Sequence, residues 1–230
     1  MAQLSRRAGL TGSVLVRLLA RLTDTDVPES KQGFADRLSH WLGWSDAISL
    51  SAALVVPTPA SPSGAPAAAE LEASQCARVR VALENAIDEE MRGLAREQPS
   101  DFPPFRRRYH ARQQAMATSI APLRERLRQT LAARSPAMAR LAGIDAVMEQ
   151  VLGEQEHRLL GTVPTFLEKY FKRLRQDAAP ADGPAVSDVD AWRATFSEAL
   201  RSVWLAELEI RLQPVDALVD ALRACETTPQ

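Results

Sequence analysis

The chain has 230 residues, 46% of them hydrophobic and 25% charged, which is typical of a folded globular protein and excludes global disorder. Its net charge of −1 provides no overall basic field for nucleic acid or an anionic membrane. Two cysteines, Cys76 and Cys225, lie far apart and in no metal-ligand spacing. We therefore expect free thiols in a reducing, cytoplasmic compartment.

Residues 1–56 predict an N-terminal helical segment. The first helix carries an apolar stripe with helical spacing, formed by Leu10, Val14, Leu18, Leu19 and Leu22. Thr11 or Ser13 can cap it. The second helix is expected after Ser30, and the third, from Asp46 to about Val55, is short, rich in small residues and capped by Ser45.

The first residues also resemble the start of a twin-arginine export signal, because Arg6 and Arg7 precede an apolar stretch. Arg17 and Arg21 interrupt that stretch, however, so the pattern favours an amphipathic helix over a signal peptide. Docking of this helix on the core is the favoured reading. Contact of residues 10–22 with a membrane surface is the weaker alternative.

Residues 57–69 are rich in proline, alanine and serine and have no apolar period, so they predict a flexible linker. Residues 70–224 predict a helical bundle and residues 225–230 a tail. Within the bundle, Pro122 is expected to kink or split one helix, and Pro214 to bend or break the last one after Leu212. Ser135 followed by Pro136 marks a clean helix start.

The bundle helices show apolar stripes at intervals of three and four residues. Two of them are Met116, Ile120, Leu123, Leu127 and Leu131, and Ile144, Val147, Met148, Val151 and Leu152. We expect Leu127 and Val151 to belong to the main core. No alternating strand pattern occurs, so the predicted fold is all-α: a multi-helix bundle of long amphipathic helices with a small N-terminal helical subdomain.

Few patterns point to chemistry. Glu154 and His157 have the Glu-x-x-His spacing of carboxylate-bridged metal sites, but the chain contains no second pair. A solvated or ion-paired face is therefore the better reading. We predict no catalytic residue, no metal site and no cofactor, and a helical enzyme with a dispersed site remains an alternative.

Charge is distributed in two opposite blocks. Residues 103–140 contain nine arginines and one glutamate, a net charge of +8, whereas residues 177–230 have a net charge of −6. Four arginines at the start of the basic block are candidate interaction residues: Arg106, Arg107, Arg108 and Arg112. If they pair within the fold, acids of the last helix such as Glu198 or Glu207 should lie nearby. Binding of a protein is favoured over binding of nucleic acid, which stays an alternative.

Several motifs together resemble a known family over nearly the whole chain. They are Phe34-Ala-Asp-Arg-Leu38, Trp41-Leu-x-Trp44-Ser-Asp-Ala-Ile48, Tyr109 with Gln114-Ala-Met116, Arg134-Ser-Pro136, Asp145-Ala-Val-Met-Glu149, Leu159-Leu-x-Thr-Val-Pro164 and Arg211-Leu-Gln-Pro214. The chain resembles an uncharacterised, all-α proteobacterial family catalogued as a domain of unknown function. The resemblance implies no catalytic residues. It implies genes beside proteins resembling MotA/TolQ/ExbB proton-channel subunits and OmpA-like proteins, and hence an accessory role on the cytoplasmic side of an envelope complex.

The sequence as a whole predicts a soluble, cytoplasmic, non-enzymatic protein that binds a protein partner, with homo-oligomerisation as a possibility. No stretch reaches about 18 uninterrupted apolar residues, so no membrane span is predicted.

Overall fold

The computed structural model describes residues 13–25, 33–55, 67–178 and 188–227. This part of the chain forms helices and no strand, which confirms the all-α prediction. The helices are α1 (Val14–Thr23), α2 (Phe34–Trp41), α3 (Trp44–Val55), α4 (Ala67–Glu97), α5 (Pro103–Ala132), α6 (Pro136–Leu160), α7 (Val163–Asp177) and α8 (Asp188–Thr227).

Two long helices, α5 and α8, are at the centre of the packing. They contact each other, and α4 contacts both; α6 packs against α5, while α7 packs against α8. The N-terminal helices also join the bundle, since α1 contacts α7 and α8, and α3 contacts α6. Isolated amphipathic helices are only marginally stable in water, so the burial of their apolar faces against one another stabilises these helices.

The predicted apolar stripe of α5 is confirmed, because all five of its residues are buried. It faces an almost continuous buried stripe on α8, formed by Phe196, Leu200, Val203, Trp204, Leu208, Leu212, Val215, Leu218, Val219 and Leu222. At one end of the bundle, Phe105 meets Phe171 and Phe196 with ring centroids 5.7 and 5.1 Å apart. Tilted and edge-on aromatic contacts of this kind add to the area they bury.

Neither internal proline ends its helix. Pro122 lies within α5 and Pro214 within α8, so a split of α5 or a break of α8 after Leu212 is wrong, and a bend at either proline stays a prediction. An interior proline removes one backbone hydrogen bond and costs about 3 kcal/mol. Burial of Leu212 and Val215 on either side of Pro214 offsets this cost, since each fully buried aliphatic side chain contributes about 1.5–3 kcal/mol.

Every residue of the apolar stripe predicted for α6, including Val151, is only half-buried. The fully covered apolar residues of this helix are Ala142 and Leu160. The physical reason is that α6 is shared between two neighbours, α5 and α3, and α3 is a short helix. Placing Val151 in the main core was therefore wrong.

The helix starts agree in part with the sequence. Ser13 and Ser135 cap α1 and α6 as predicted, accepting hydrogen bonds from Val16 N and Met138 N at 3.2 Å. In α1, Leu18, Leu19 and Leu22 of the predicted stripe pack against the core, whereas Val14 is exposed and Leu15 is buried instead.

The predicted linker ends earlier than expected. Helix α4 begins at Ala67, and Ala69 is buried, so residues 67–69 belong to the bundle. Residues 57–66 lie outside the described part of the chain. Among the described helices, none is long and apolar enough to cross a membrane.

The different burial of Leu127 and Val151 gives a direct test of the packing. Leu127→Ala should lower the free energy of unfolding by about 2–5 kcal/mol, because it leaves a cavity in a sealed core. Val151→Ala should cost about 0.5–1 kcal/mol, because a half-buried side chain loses less contact. Urea denaturation measures both, and equal losses would contradict this packing.

Candidate interaction surface

The four candidate arginines lie on α5 where it passes α4 and α7. Arg108 donates to Glu90 and Glu97 of α4, each at 2.5 Å, and Arg112 reaches Glu90 at 3.1 Å. The hydrogen bonds to the carboxylates of Glu97 and Glu90 raise the pKa of Arg108, against an opposing contribution from desolvation. These two arginines therefore hold α5 against α4.

Arg106 pairs across the other side of α5, with Glu168 of α7, and also covers the Phe102 ring, 5.6 Å from its centroid. The pKa of Glu168 is lowered by both of its cationic neighbours. The hydrogen bond from Lys172 is the larger cause, and the charge of Arg106 adds to it. Arg107 is exposed and makes no ion pair with the described residues. Of the four candidates, it alone offers a guanidinium outside these ion pairs.

The acids that pair with these arginines are not the expected ones. We expected Glu198 or Glu207 of the last helix, but the partners come from α4 and α7. Glu90 and Glu97 lie near the end of α4, which leads into α5, and Glu168 lies on α7 beside the start of α5, so these acids are within reach of the arginines. Whether the four arginines also contact a partner stays a prediction.

The rest of the basic block is engaged in the same way. Arg124 makes a bidentate contact with Asp145 of α6, at 2.8 and 2.7 Å. Arg128 reaches Asp145 and also Glu149, at 3.1 and 2.5 Å. Although desolvation opposes it, the hydrogen bonds that Arg128 donates to neighbouring carboxylates raise the pKa of Arg128. Much of the +8 block is thus neutralised between helices.

A buried carboxylate, Glu207, lies at the centre of α8 with 0% exposure. Tyr109 Oη donates to it at 2.6 Å and Gln113 Nε2 at 3.0 Å. Arg211, one turn further along α8, donates from Nε and Nη2 at 2.9 and 2.8 Å. Trp204 stacks on the Tyr109 ring, with centroids 5.6 Å apart. Donors thus surround the charge, as a buried carboxylate requires.

Sequence reasoning missed this network. Glu207 was considered as a member of the acidic carboxyl-terminal block and as an ion-pair partner for Arg106, Arg107 and Arg108, not as a buried acceptor for Tyr109 and Gln113. Two local signals could have found it: Arg211 follows at the i+4 position, and Trp204 and Leu208 place Glu207 beside the apolar stripe. Its partner Tyr109 is also buried.

The described part of the surface includes a group of exposed apolar side chains on α3. Trp44 is 85% exposed, Val55 75%, Ile48 56% and Leu54 53%. With the exposed small residues between them they form one side of the helix, which we call the α3 face: Trp44, Ala47, Ile48, Ser51, Ala52, Leu54 and Val55. Isolated exposed apolar residues are ordinary, but a grouped set of this size marks an interaction site.

The opposite side of α3 attaches the helix to α6. Asp46, Leu50 and Ala53 are partly buried there, and an ideal Cβ on Gly143 of α6 would lie 3.5 Å from Ala53 Cβ. Asp46 accepts a hydrogen bond from the Gly43 N–H at 2.9 Å, so it stabilises the helix start that was assigned to Ser45. This packing leaves the α3 face directed away from α6.

The cavities give weaker indications of a binding site than the α3 face does. One of about 310 Å³ adjoins the aromatic cluster and is lined by Leu94, Phe105, Phe171, Trp192 and Phe196 among others. Another, of about 300 Å³, lies between α5, α6 and α8 beside the Arg124 and Arg211 ion pairs. Both are half-open clefts at the lower limit of ligand pockets.

The residues considered for metal binding do not converge. Glu154 and His157 are both exposed on α6. In the described ranges, no group of three or more histidine, cysteine, aspartate or glutamate side chains is arranged to hold a metal ion. Cys76 is buried and Cys225 half-buried, and both are free.

Over the described residues, fold and surface define an all-α bundle in which most arginines of α5 are paired with carboxylates and the α3 face is apolar and exposed. A family model described as "Protein of unknown function (DUF3348)" matches residues 1–224. The chain therefore belongs to this family, in agreement with the resemblance seen in its motifs. No curated protein and no solved structure matches it.

The buried carboxylate gives a prediction on stability. Glu207→Ala should lower the free energy of unfolding by about 3–5 kcal/mol, because it leaves the Arg211 guanidinium and the Tyr109 hydroxyl buried without their acceptor. Glu209→Ala is the matched control, since Glu209 is exposed and pairs with Arg80 at the surface. The control should cost under about 1 kcal/mol in the same urea titration. Similar losses in the two variants would refute the role given to Glu207.

A second prediction concerns alkaline pH. Burial, together with the negative charge of Glu207, raises the pKa of Tyr109 well above its ordinary value of 10.0. The folded state therefore favours the neutral phenol, and this stabilisation is present below about pH 10 and lost as the pH rises further. Relative to Tyr109→Phe, the unmodified protein should lose unfolding free energy above about pH 10. Parallel pH profiles for the two proteins would contradict this.

Proposed function

We propose that this protein is a non-enzymatic binding protein that docks onto another protein surface through the α3 face. The observation that carries the proposal is the exposure of Trp44, Ile48 and Val55 on one side of α3 while its other side packs on α6. Exposing these side chains contributes nothing to folding. Their transfer out of water on docking is favourable, by roughly 25 cal/mol for each Å² of apolar surface.

The chemistry of the α3 face defines the partner. Asp46 is the only charged residue of α3, and it is half-buried on the opposite side. A face without cations has no attraction for phosphate, so nucleic acid and anionic lipid fit it poorly. The partner that fits is an uncharged, apolar protein surface. Tryptophan is among the residues that contribute most to binding energy at such interfaces.

The basic residues have a secondary place in this proposal. Arg106, Arg108 and Arg112 already contact carboxylates, so a partner anion would compete with these contacts. Arg107 is available, but one exposed cation adds about 0–1 kcal/mol to an association. The nucleic-acid alternative rests on the same residues and has correspondingly less support.

The cytoplasmic location and the accessory role at an envelope complex belong to the same proposal. They derive from the family resemblance. The free thiols of Cys76 and Cys225 are compatible with a reducing compartment.

Site-specific photo-cross-linking tests the proposed function. A photoreactive amino acid is placed at Ile48 on the α3 face, or at Val81 of α4 as a matched control. The two side chains are 56% and 52% exposed. In native cells, we expect protein adducts from position 48 but not from position 81. The adducts at position 48 should be lost when Trp44→Glu is added, because burying a charge within an apolar contact is strongly unfavourable.

Adduct masses identify the occupant, whether a second copy of the chain or a different protein. Two results would overturn the proposal: no protein adduct at position 48, or adducts that Trp44→Glu leaves unchanged.

A further inference from the structure

The α3 face is symmetric about the middle of its helix. Six of its exposed residues form three pairs equidistant from the midpoint: Trp44 with Val55, Ala47 with Ala52, and Ile48 with Ser51. When two copies of one helix pack antiparallel about a twofold axis through that midpoint, the two members of each pair lie at the same level. Each of these residues thus lies level with the other member of its pair in the second copy.

The sizes of these residues are complementary in that arrangement. The large Trp44 lies level with the smaller Val55, and Ile48 lies level with Ser51. The alanines at 47 and 52 leave room near the axis for the helices to approach to about 8–10 Å. Large side chains opposite small ones are what interdigitated packing requires. A parallel arrangement would instead place the two copies of Trp44 against each other.

The absence of charged residues on the α3 face also favours a second copy. A twofold interface presents the same face twice, so a face that carries charge of one sign repels its own copy. The α3 face carries no charged residue, and Asp46 is engaged with the Gly43 N–H on the other side. No barrier of this kind opposes self-association.

The area is sufficient for a reversible dimer. The exposed side chains of the α3 face present on the order of 500 Å² of apolar surface per copy. Two copies would bury about 1,000 Å² in total, at the lower limit of specific interfaces. We therefore expect a dissociation constant in the micromolar range, on the order of 1–100 µM.

We propose that the occupant of the α3 face is a second copy of this chain, packed antiparallel about a twofold axis; this proposal rests on the proposed role of the α3 face as a docking surface.

Sedimentation velocity of the full-length chain tests the dimer. From about 1 to about 300 µM, the unmodified protein should shift from monomer to dimer, whereas Trp44→Glu should stay monomeric, its dissociation constant raised at least tenfold. Val81→Glu is the matched control and should dimerise like the unmodified protein. Because Trp44 is 85% exposed, its replacement should leave the helical circular dichroism and the melting temperature unchanged.

Cross-linking tests the antiparallel register. With Cys76→Ala and Cys225→Ser as background, chains carrying Trp44→Cys are mixed with chains carrying Val55→Cys and treated with a short bismaleimide. We expect the mixed 44–55 product to form severalfold faster than either the 44–44 or the 55–55 product. Dominant 44–44 product would overturn the antiparallel arrangement.

The outcomes separate this inference from the proposed function. A monomer at all concentrations, or a dimer insensitive to Trp44→Glu, overturns the second copy as occupant. If position 48 nevertheless forms adducts with a different protein that Trp44→Glu abolishes, the docking role of the α3 face stands and the partner is that protein. A monomer without such adducts overturns both.

Discussion

A single buried charge constrains how the central helices of this bundle can pack. Glu207 lies in the apolar stripe of α8, where an unpaired carboxylate would cost several kcal/mol. Its donors Tyr109 and Gln113 come from α5, and Arg211 comes from the next turn of α8. The hydrogen bonds from Tyr109 and Gln113 form only in one register of α5 against α8. Apolar packing alone tolerates sliding more easily, so the network makes this helix pair specific as well as buried.

The ion pairs at the edges of the bundle extend the same constraint outward. Arginines of α5 meet carboxylates on α4, α6 and α7, so the basic block serves as a set of contacts between helices. Surface pairs of this kind are individually weak, at about 0–1 kcal/mol. Their effect on function is larger, because they remove most of the charge that α5 could offer to nucleic acid. What is left for recognition is the apolar surface of α3.

The sequence predicts helices with one buried apolar face well, but it predicts interior prolines and buried charged residues poorly. The spacing of Met116, Ile120 and Leu127 identified a core face correctly, because one helix side meets one neighbouring surface. Pro214 was misjudged, since a local rule cannot include the burial of residues on both sides of it. Glu207 was missed because composition assigns a carboxylate to solvent unless its partners, distant in sequence, are known. Fold class thus follows from periodicity, whereas the polar interior depends on three-dimensional neighbours.

The α3 face could not be predicted from periodicity at all, and the reason bears on function. Helix α3 is apolar on two sides, so the sequence cannot tell which side packs on the bundle. A helix of 12 residues is marginal alone in water, which explains why Leu50 and Ala53 pack on α6. The packing of this one side of α3 on α6 is enough to stabilise the helix. The exposed Trp44 and Val55 on the other side gain nothing from the monomer fold and increase its tendency to associate. Folding accounts for the first side of α3, and the proposed association, in which the second side is covered, would account for the other.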